Sequence, residues 1–274
     1  MTAILLETKR VAKPWGRRQL WPGFADPAPA EEPVGEIWFA APDGADAPLL
    51  VKYLFTSERL SVQVHPDDAA ARAAGYPRGK DEAWVVLAAE PDSTIALGTL
   101  RPLTQDELRA AALDGSIEQL LDWKPVKAGD VIYSPAGTVH AIGAGITLVE
   151  VQQNVDLTYR LYDYGRPREL HLEAAVAVAD ARLFEVPPVP GEIAPGRVLL
   201  AEGPKFVLER WSGGARELAI TANTPAWLVP LASEGSFDGL AWRAGECVEV
   251  HGPGWVEASG DADLLVAYPG DRRV

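Results

Sequence analysis

The 274-residue chain has one cysteine, Cys247, which rules out an internal disulfide and a thiolate cluster. Long apolar runs are equally absent. No stretch of roughly 18 or more uncharged apolar residues occurs, so a transmembrane helix is excluded. The opening segment Thr2-Ala3-Ile4-Leu5-Leu6-Glu7 is too short and too acidic for the apolar core of a signal peptide, and a cytoplasmic protein is the expectation. Basic charge is in deficit: 25 Lys and Arg stand against 39 Asp and Glu, for a net charge of −14. That balance argues against nucleic acid or an anionic membrane as partner. An anionic small molecule stays admissible, because exposed charges are screened beyond about 8 Å at physiological salt and a few local cations can dominate a pocket.

Glycine and proline are plentiful, at 25 and 23 residues, and they separate short β-type runs. Examples are Pro48–Phe55, Ala83–Leu87, Asp130–Tyr133, Ile146–Val151 and Leu264–Tyr268. Many short strands with turn signals between them predict a mainly β chain, a sandwich or barrel. Helices are few and short. Thr104-Gln105-Asp106-Glu107 reads as a capping box for a helix ending near Gly115, and Ser116-Ile117-Glu118-Gln119 repeats that grammar. A third helix follows Pro66, with Asp67 and Asp68 in its first turn and Gly75 as its stop, and a fourth covers His171 to Asp180.

The Pro/Gly-rich stretch 186–196 is the best linker and divides a first domain, 1–185, from a second, 197–274. A weak internal repeat spans it. Lys127-Ala128-Gly129-Asp130-Val131-Ile132 corresponds to Arg243-Ala244-Gly245-Glu246-Cys247-Val248, each a turn feeding a strand. The first copy continues to His140, whereas the second offers Val256 or Glu257 there. A duplicated β-domain whose second copy lost a ligand accounts for this; chance likeness over six residues is the alternative.

Ser61-Val62-Gln63-Val64-His65 alternates strictly, which in a strand puts Ser61, Gln63 and His65 on one face and the two valines on the other. The valines require a packed core, so the polar face looks into a barrel lumen or its mouth. Glu82 stands at the start of another strand, and Gly137-Thr138-Val139-His140 is a turn feeding a third. Gln63, His65, Glu82 and His140 together offer two imidazoles, a carboxylate and an amide oxygen, a set suited to Zn²⁺, Mn²⁺ or Fe²⁺.

The series of motifs resembles the type I mannose-6-phosphate isomerases, a family of the cupin superfamily. Leu60-Ser61-Val62-Gln63-Val64-His65-Pro66-Asp67 is similar to that family's leucine-serine-x-glutamine-x-histidine-proline signature, and Lys80-Asp81-Glu82 to its lysine-x-glutamate. Lys13-Pro14-Trp15-Gly16 and Gly35-Glu36-Ile37-Trp38 resemble its upstream motifs, and Thr138–Ala141, Glu150 and Asp156–Asp163 its downstream ones. The match runs in order over roughly residues 13 to 170 and fades after the linker. Arg17 departs from the family, where a second glycine is usual, and the reduced helical insertion resembles the short bacterial form.

The resemblance implies a cupin-type jelly-roll barrel with a degenerate second β-domain, and one divalent cation per chain, Zn²⁺ or else Mn²⁺ or Fe²⁺, held by Gln63, His65, Glu82 and His140. It implies Lys80, Glu150 and Arg160 as active-site residues, with Ser61 joining Lys80 and Arg160 in substrate binding. The reaction implied is interconversion of mannose 6-phosphate and fructose 6-phosphate by proton transfer through a cis-enediol, with Glu150 as proton carrier and Arg160 on the enediolate or the phosphate. The partner is then a small sugar phosphate; nothing in the sequence addresses the oligomeric state. Two other readings stand beside it: an iron oxygenase cupin using two His and a carboxylate, and a sugar-binding cupin without activity. The remaining histidines, His171 at a helix start and His251 in a Gly-Pro turn, are read as structural.

Overall fold

The computed structural model describes residues 2–20, 24–42, 45–188, 190–222 and 224–271. Val189 of the expected linker therefore lies outside the described residues. Alternation decides where the strands go. Along Leu49–Phe55, Val51, Tyr53 and Phe55 face one way and Leu50, Lys52 and Leu54 the other, so both faces of this strand are buried.

Six strands pair antiparallel in the order Glu7–Arg17, Val34–Ala40, Leu49–Phe55, Ile146–Gln153, Glu82–Ala89 and Val131–Ser134. A second sheet runs Tyr159–Tyr162, Val62–Val64, His140–Ile142, Thr94–Thr99 and Leu121–Pro125. The two face each other as a jelly-roll sandwich; among the described residues no strand pairing closes them into one barrel. Between them the lower half is apolar, with Leu54, Trp84, Leu148, Ile95, Leu97 and Ile142 in contact.

The back of the five-stranded sheet is covered by helices. Val62, Val64, Ala96 and Ala141 pack against Leu108, Ala111 and Ala112 of the helix Gln105–Asp114 and against Ala175 and Val176 of the helix Leu172–Val178. The expected capping box forms at Thr104 and Glu107, and Gly115 ends that helix at φ 82°. The box expected at Ser116 does not form. Ser116 is itself helical, its N–H is taken by Asp114, and the single turn Ile117–Leu120 passes directly into a strand. The helix after Pro66 spans Asp68–Ala73 with Asp67 as N-cap.

The back of the six-stranded sheet packs on a nine-stranded sheet built mostly from the C-terminal part of the chain. Tyr53, Phe55, Val85 and Val149 meet Phe206, Leu208, Trp227 and Leu265 there. Two strands of that sheet come from outside 197–274: Thr2–Leu5 pairs with Val248–His251, and Gly191–Ala194, within the expected linker, pairs with Arg197–Glu202. His251 ends a strand rather than lying in a turn, and its Nε2 meets Glu249 at 2.8 Å. No helix among the described residues is long and apolar enough to cross a membrane.

The repeat is visible in the turns. Lys127 N–H donates to Asp130 at 2.8 Å, and Arg243 N–H donates to Glu246 at 2.7 Å. Gly129 and Gly245, at φ 93° and 84°, occupy the same place in each turn, a conformation open to glycine. The second strand then leads to Val256, buried in an apolar core with Trp211, Phe237 and Trp242, with Glu257 exposed beside it.

Candidate active site

Above the apolar floor of the sandwich, both sheets turn polar side chains inward around a cavity of about 420 Å³. The five-stranded sheet contributes Ser61, Gln63, His65 and His140; the six-stranded sheet contributes Glu36, Lys52, Glu82 and Glu150. His65, Glu82 and His140 converge, with one ligand atom of each within 4.8 Å of the others, and all three are buried. The alternation along residues 61–65 thus brings its polar face inward as expected.

The imidazoles are oriented from behind. His65 Nδ1 donates to the Leu157 carbonyl at 2.9 Å, and His140 Nδ1 donates to the Thr138 carbonyl at 2.9 Å. Each ring therefore points an Nε2 lone pair at the Glu82 carboxylate, at 3.3 Å for His65 and 3.6 Å for His140. Burial keeps both rings neutral, pushing His65 down to about 4 and lowering His140 as well. Burial pushes the Glu82 carboxyl up, but the ammonium of Lys80 opposes it and Glu82 stays well below the usual carboxylate range.

Neither Glu82 oxygen has a hydrogen-bond partner. Lys80 Nζ stands 2.9 Å from Oε1 as an ion pair whose direction fails as a hydrogen bond. Lys80 Nζ also stands 3.5 Å from His65 Nε2, so one ammonium is shared between that ring and an ionised, 1% exposed carboxylate, and a divalent cation is what this donor set fits. Gln63 stands next to it, its amide nitrogen 3.2 Å from His140 Nε2 and its oxygen accepting from Ser61 at 3.1 Å. A half-turn of the amide presents the oxygen instead, the end a cation requires.

Glu150 faces the same cavity. Its Oε2 accepts from Trp84 Nε1 at 3.0 Å and its Oε1 pairs with Lys52 at 3.2 Å. Trp84 also stands against His140, with ring centroids 5.3 Å apart. Arg160 is in register with Gln63 on the neighbouring strand and lines the mouth of the cavity, half-exposed, donating to the Glu169 carbonyl at 3.2 Å. Every residue expected from the sequence therefore lines one cavity or the ligand cluster at its base.

Several neighbours were missed. Lys52 is fully enclosed among Glu150, Glu36 and Gln152, whose Oε1 accepts from it at 2.5 Å, and it lies over the Trp38 ring at 4.6 Å. Burial acts to lower the Lys52 pKa, but Glu150 and Glu36 raise it above the lysine range, so it stays charged. Burial likewise opposes ionisation of Glu36, and Lys52 and Lys13 outweigh it. The signal was legible: Lys52 is the one charge in the apolar run Leu49–Phe55. Arg168 lines the mouth while paired with buried Asp163 at 2.5 Å, and His171 lines it too, its Nδ1 accepting from the Arg160 N–H at 3.2 Å. No sequence pattern singled out either. Arg17, where the family has glycine, ties Thr56 and Glu90 at 2.8 and 2.6 Å.

No protein-family profile matches the chain. It is 35% identical over 213 residues to mannose-6-phosphate isomerase of Streptococcus mutans, covering 64% of this chain and 67% of that protein. It is 41% identical over 170 residues to mannose-6-phosphate isomerase ManA of Bacillus subtilis, covering 57% of this chain and 52% of that one. The matched sequence thus spans about half to two thirds of these relatives. The crystal structure of the mannose 6-phosphate isomerase from Bacillus subtilis superposes with a TM-score of 0.83 at 25% identity, over 97% of this chain and 99% of that chain.

Proposed function

The chain belongs to the mannose-6-phosphate isomerase family, and from that premise we propose that it interconverts mannose 6-phosphate and fructose 6-phosphate by proton transfer between C2 and C1. The observation that carries this reading is the convergence of two imidazole nitrogens on the buried Glu82 carboxylate, which has no directed hydrogen bond, at the base of a cavity rimmed by cations. His65, Glu82 and His140 with Gln63 would hold one divalent cation, zinc being the expected ion for such a nitrogen and oxygen set. When bound, that cation supplies a positive charge that polarises a substrate oxygen.

The remaining steps belong to the protein. The C2 proton of the aldose leaves to a base, the C2–H pair forms the C1=C2 bond of the enediol, and the C1=O π pair moves to O1, which takes up a proton. The C1=C2 pair then takes the proton back at C1 while O2 loses its proton and forms the ketose carbonyl at C2. Glu150 is the proposed proton carrier, because Trp84 and Lys52 fix both its oxygens at the cavity wall. Lys80, 2.9 Å from Glu82, is proposed to stabilise the developing oxyanion or to move its proton. Arg160 at the mouth, with Arg168 nearby, suits the phosphate through its guanidinium fork, and Ser61 is proposed to aid substrate binding. These local cations answer the overall charge of −14. The division into a catalytic part, 1–185, and a second part, 197–274, belongs to this proposal. So does a cytoplasmic setting, which suits a chain whose one cysteine is free.

A coupled assay for fructose 6-phosphate formed from mannose 6-phosphate tests it. Activity that disappears with a chelator and returns with Zn²⁺ is expected. A fully metal-loaded protein without turnover overturns the isomerase and leaves the sugar-binding reading.

A further inference from the structure

The second domain touches the site segment at two points through one turn. Lys205 Nζ reaches 2.7 Å to Asp68, whose other oxygen accepts from the Gly79 N–H at 2.8 Å and from Gln153 at 3.1 Å. Gln153 in turn accepts from the Asp81 N–H at 3.0 Å. The second point is Tyr133. Its hydroxyl donates to Asp81 at 2.6 Å, its ring stands 5.3 Å from Phe206, and it lies so close to Gly203 that a Cβ there would come within 2.1 Å of the ring. Asp81 also accepts from the Ala136 N–H at 3.1 Å, on the loop that leads to His140. Residues 79–82 are therefore fixed on both sides of Lys80 and immediately before Glu82, through the Asp68–Lys205 pair and through Tyr133, which packs on Gly203 and Phe206.

We infer that the turn at residues 203–206 braces the segment that presents Lys80 and Glu82 to the cavity, making Lys205 and Tyr133 positioning residues. The inference rests on the reading of the site as a cation centre. Neither residue lines the cavity, so neither meets substrate. Their effect passes through Asp81 and Asp68 to the angle at which the Glu82 carboxylate faces His65 and His140. Partners outside the direct ligands commonly set metal affinity by about 10–100-fold. A carboxylate anchored at the first residue of a strand depends on what holds that strand end.

The test is Zn²⁺ affinity of the full chain by competition with a chromophoric chelator, read beside thermal stability and the split between kcat and KM. Tyr133→Phe keeps the ring and removes the hydroxyl; Lys205→Met keeps the stem and removes the charge. Weakening of about 10-fold for Tyr133→Phe, and a smaller weakening for Lys205→Met that Lys205→Arg restores, is expected. Turnover at saturating Zn²⁺ should fall in kcat with KM nearly unchanged. Affinities within twofold of wild type in both variants, whatever happens to melting temperature, overturn the brace while leaving the isomerase reading intact. A wild-type protein that takes up no divalent cation overturns that reading and the brace with it.

Discussion

Two buried carboxylates, one in the six-stranded sheet and one in the nine-stranded sheet, show how differently the same kind of scaffold can be used. Glu209, in the C-terminal sheet, is 0% exposed and fully satisfied. Arg197 clasps both its oxygens at 2.8 Å, Trp211 donates to one at 2.7 Å and Tyr268 to the other at 2.6 Å. Glu82, in the six-stranded sheet, is as deeply buried and, beside its ion pair with Lys80, has no directed hydrogen bond among the described residues. Around Glu209 the interior is filled with Trp211, Phe237 and Trp242, and Val256 lies near the place that His140 takes in the first copy. Around Glu82 there is a cavity. One carboxylate has been closed into the structure; the other has been left for something else to complete.

The comparison predicts opposite responses to removing each charge. Glu82→Gln should lower kcat/KM by at least about 10³-fold, roughly 4 kcal/mol of transition-state stabilisation, and abolish tight Zn²⁺ binding. Its metal-free form should melt only slightly below metal-free wild type, because the lost charge had a single ion-pair partner, Lys80, and no directed hydrogen bond. Glu209→Ala should do the reverse. Removing the buried acceptor on which Arg197, Trp211 and Tyr268 converge should cost about 3 kcal/mol of stability, seen in a denaturant titration with or without metal. Zn²⁺ affinity of its folded fraction should stay at the wild-type value. If Glu82→Gln destabilises the metal-free protein as much as Glu209→Ala does, the distinction between the two sites is wrong.

The residues that form the site were legible where their spacing is local. Ser61 to His65 declared one polar face by strict alternation, and the cavity uses that face. Capping at Thr104 was readable because its partner, Glu107, is three residues away. What the sequence could not display is pairing between strands far apart in the chain. Lys52 meets Glu150 only because Leu49–Phe55 and Ile146–Gln153 are in register, a fact fixed by long-range packing. The strand Thr2–Leu5 was unreadable for the same reason: its partner lies near the other end of the chain. Asp81 looked like a spacer within the lysine-x-glutamate motif, and only the fold shows it held by Tyr133 and Ala136.

Lys52 sharpens the contrast on the side of the first domain. Its charge is fully enclosed, as that of Glu209 is, yet its partners Glu150 and Glu36 face the cavity. Lys52→Met should therefore combine the two behaviours. With the orienting charge gone, kcat should fall about 10²-fold, the scale for losing one fixed electrostatic contact near reacting atoms. Zn²⁺ affinity should change little, because Lys52 touches none of the proposed ligands. A loss confined to stability, with kcat preserved in the folded enzyme, would place Lys52 with Glu209 as a structural charge.

The smallest expected effect lies where the turn at residues 203–206 meets Asp68. Asp68 has its pKa lowered from the ordinary 3.8 to about 2: burial opposes the shift, and the bonds from Lys205, Gly79 and Gln153 outweigh it. A carboxyl whose folded pKa lies below its unfolded one stabilises the fold above about pH 4 and loses that contribution as pH falls toward 2. Both side chains are partly solvated, at 30% and 22% exposure, so solvent screening holds the pair to under about 1 kcal/mol. Lys205→Met should accordingly lower the denaturant midpoint slightly at pH 6, with both proteins stripped of metal. The gap should narrow as pH falls toward 2, where Asp68 becomes protonated in wild type too. A gap of equal size at pH 6 and pH 2 would mean that Lys205 contributes through the packing of its stem, and that the contact at this point is apolar as it is in the core beneath.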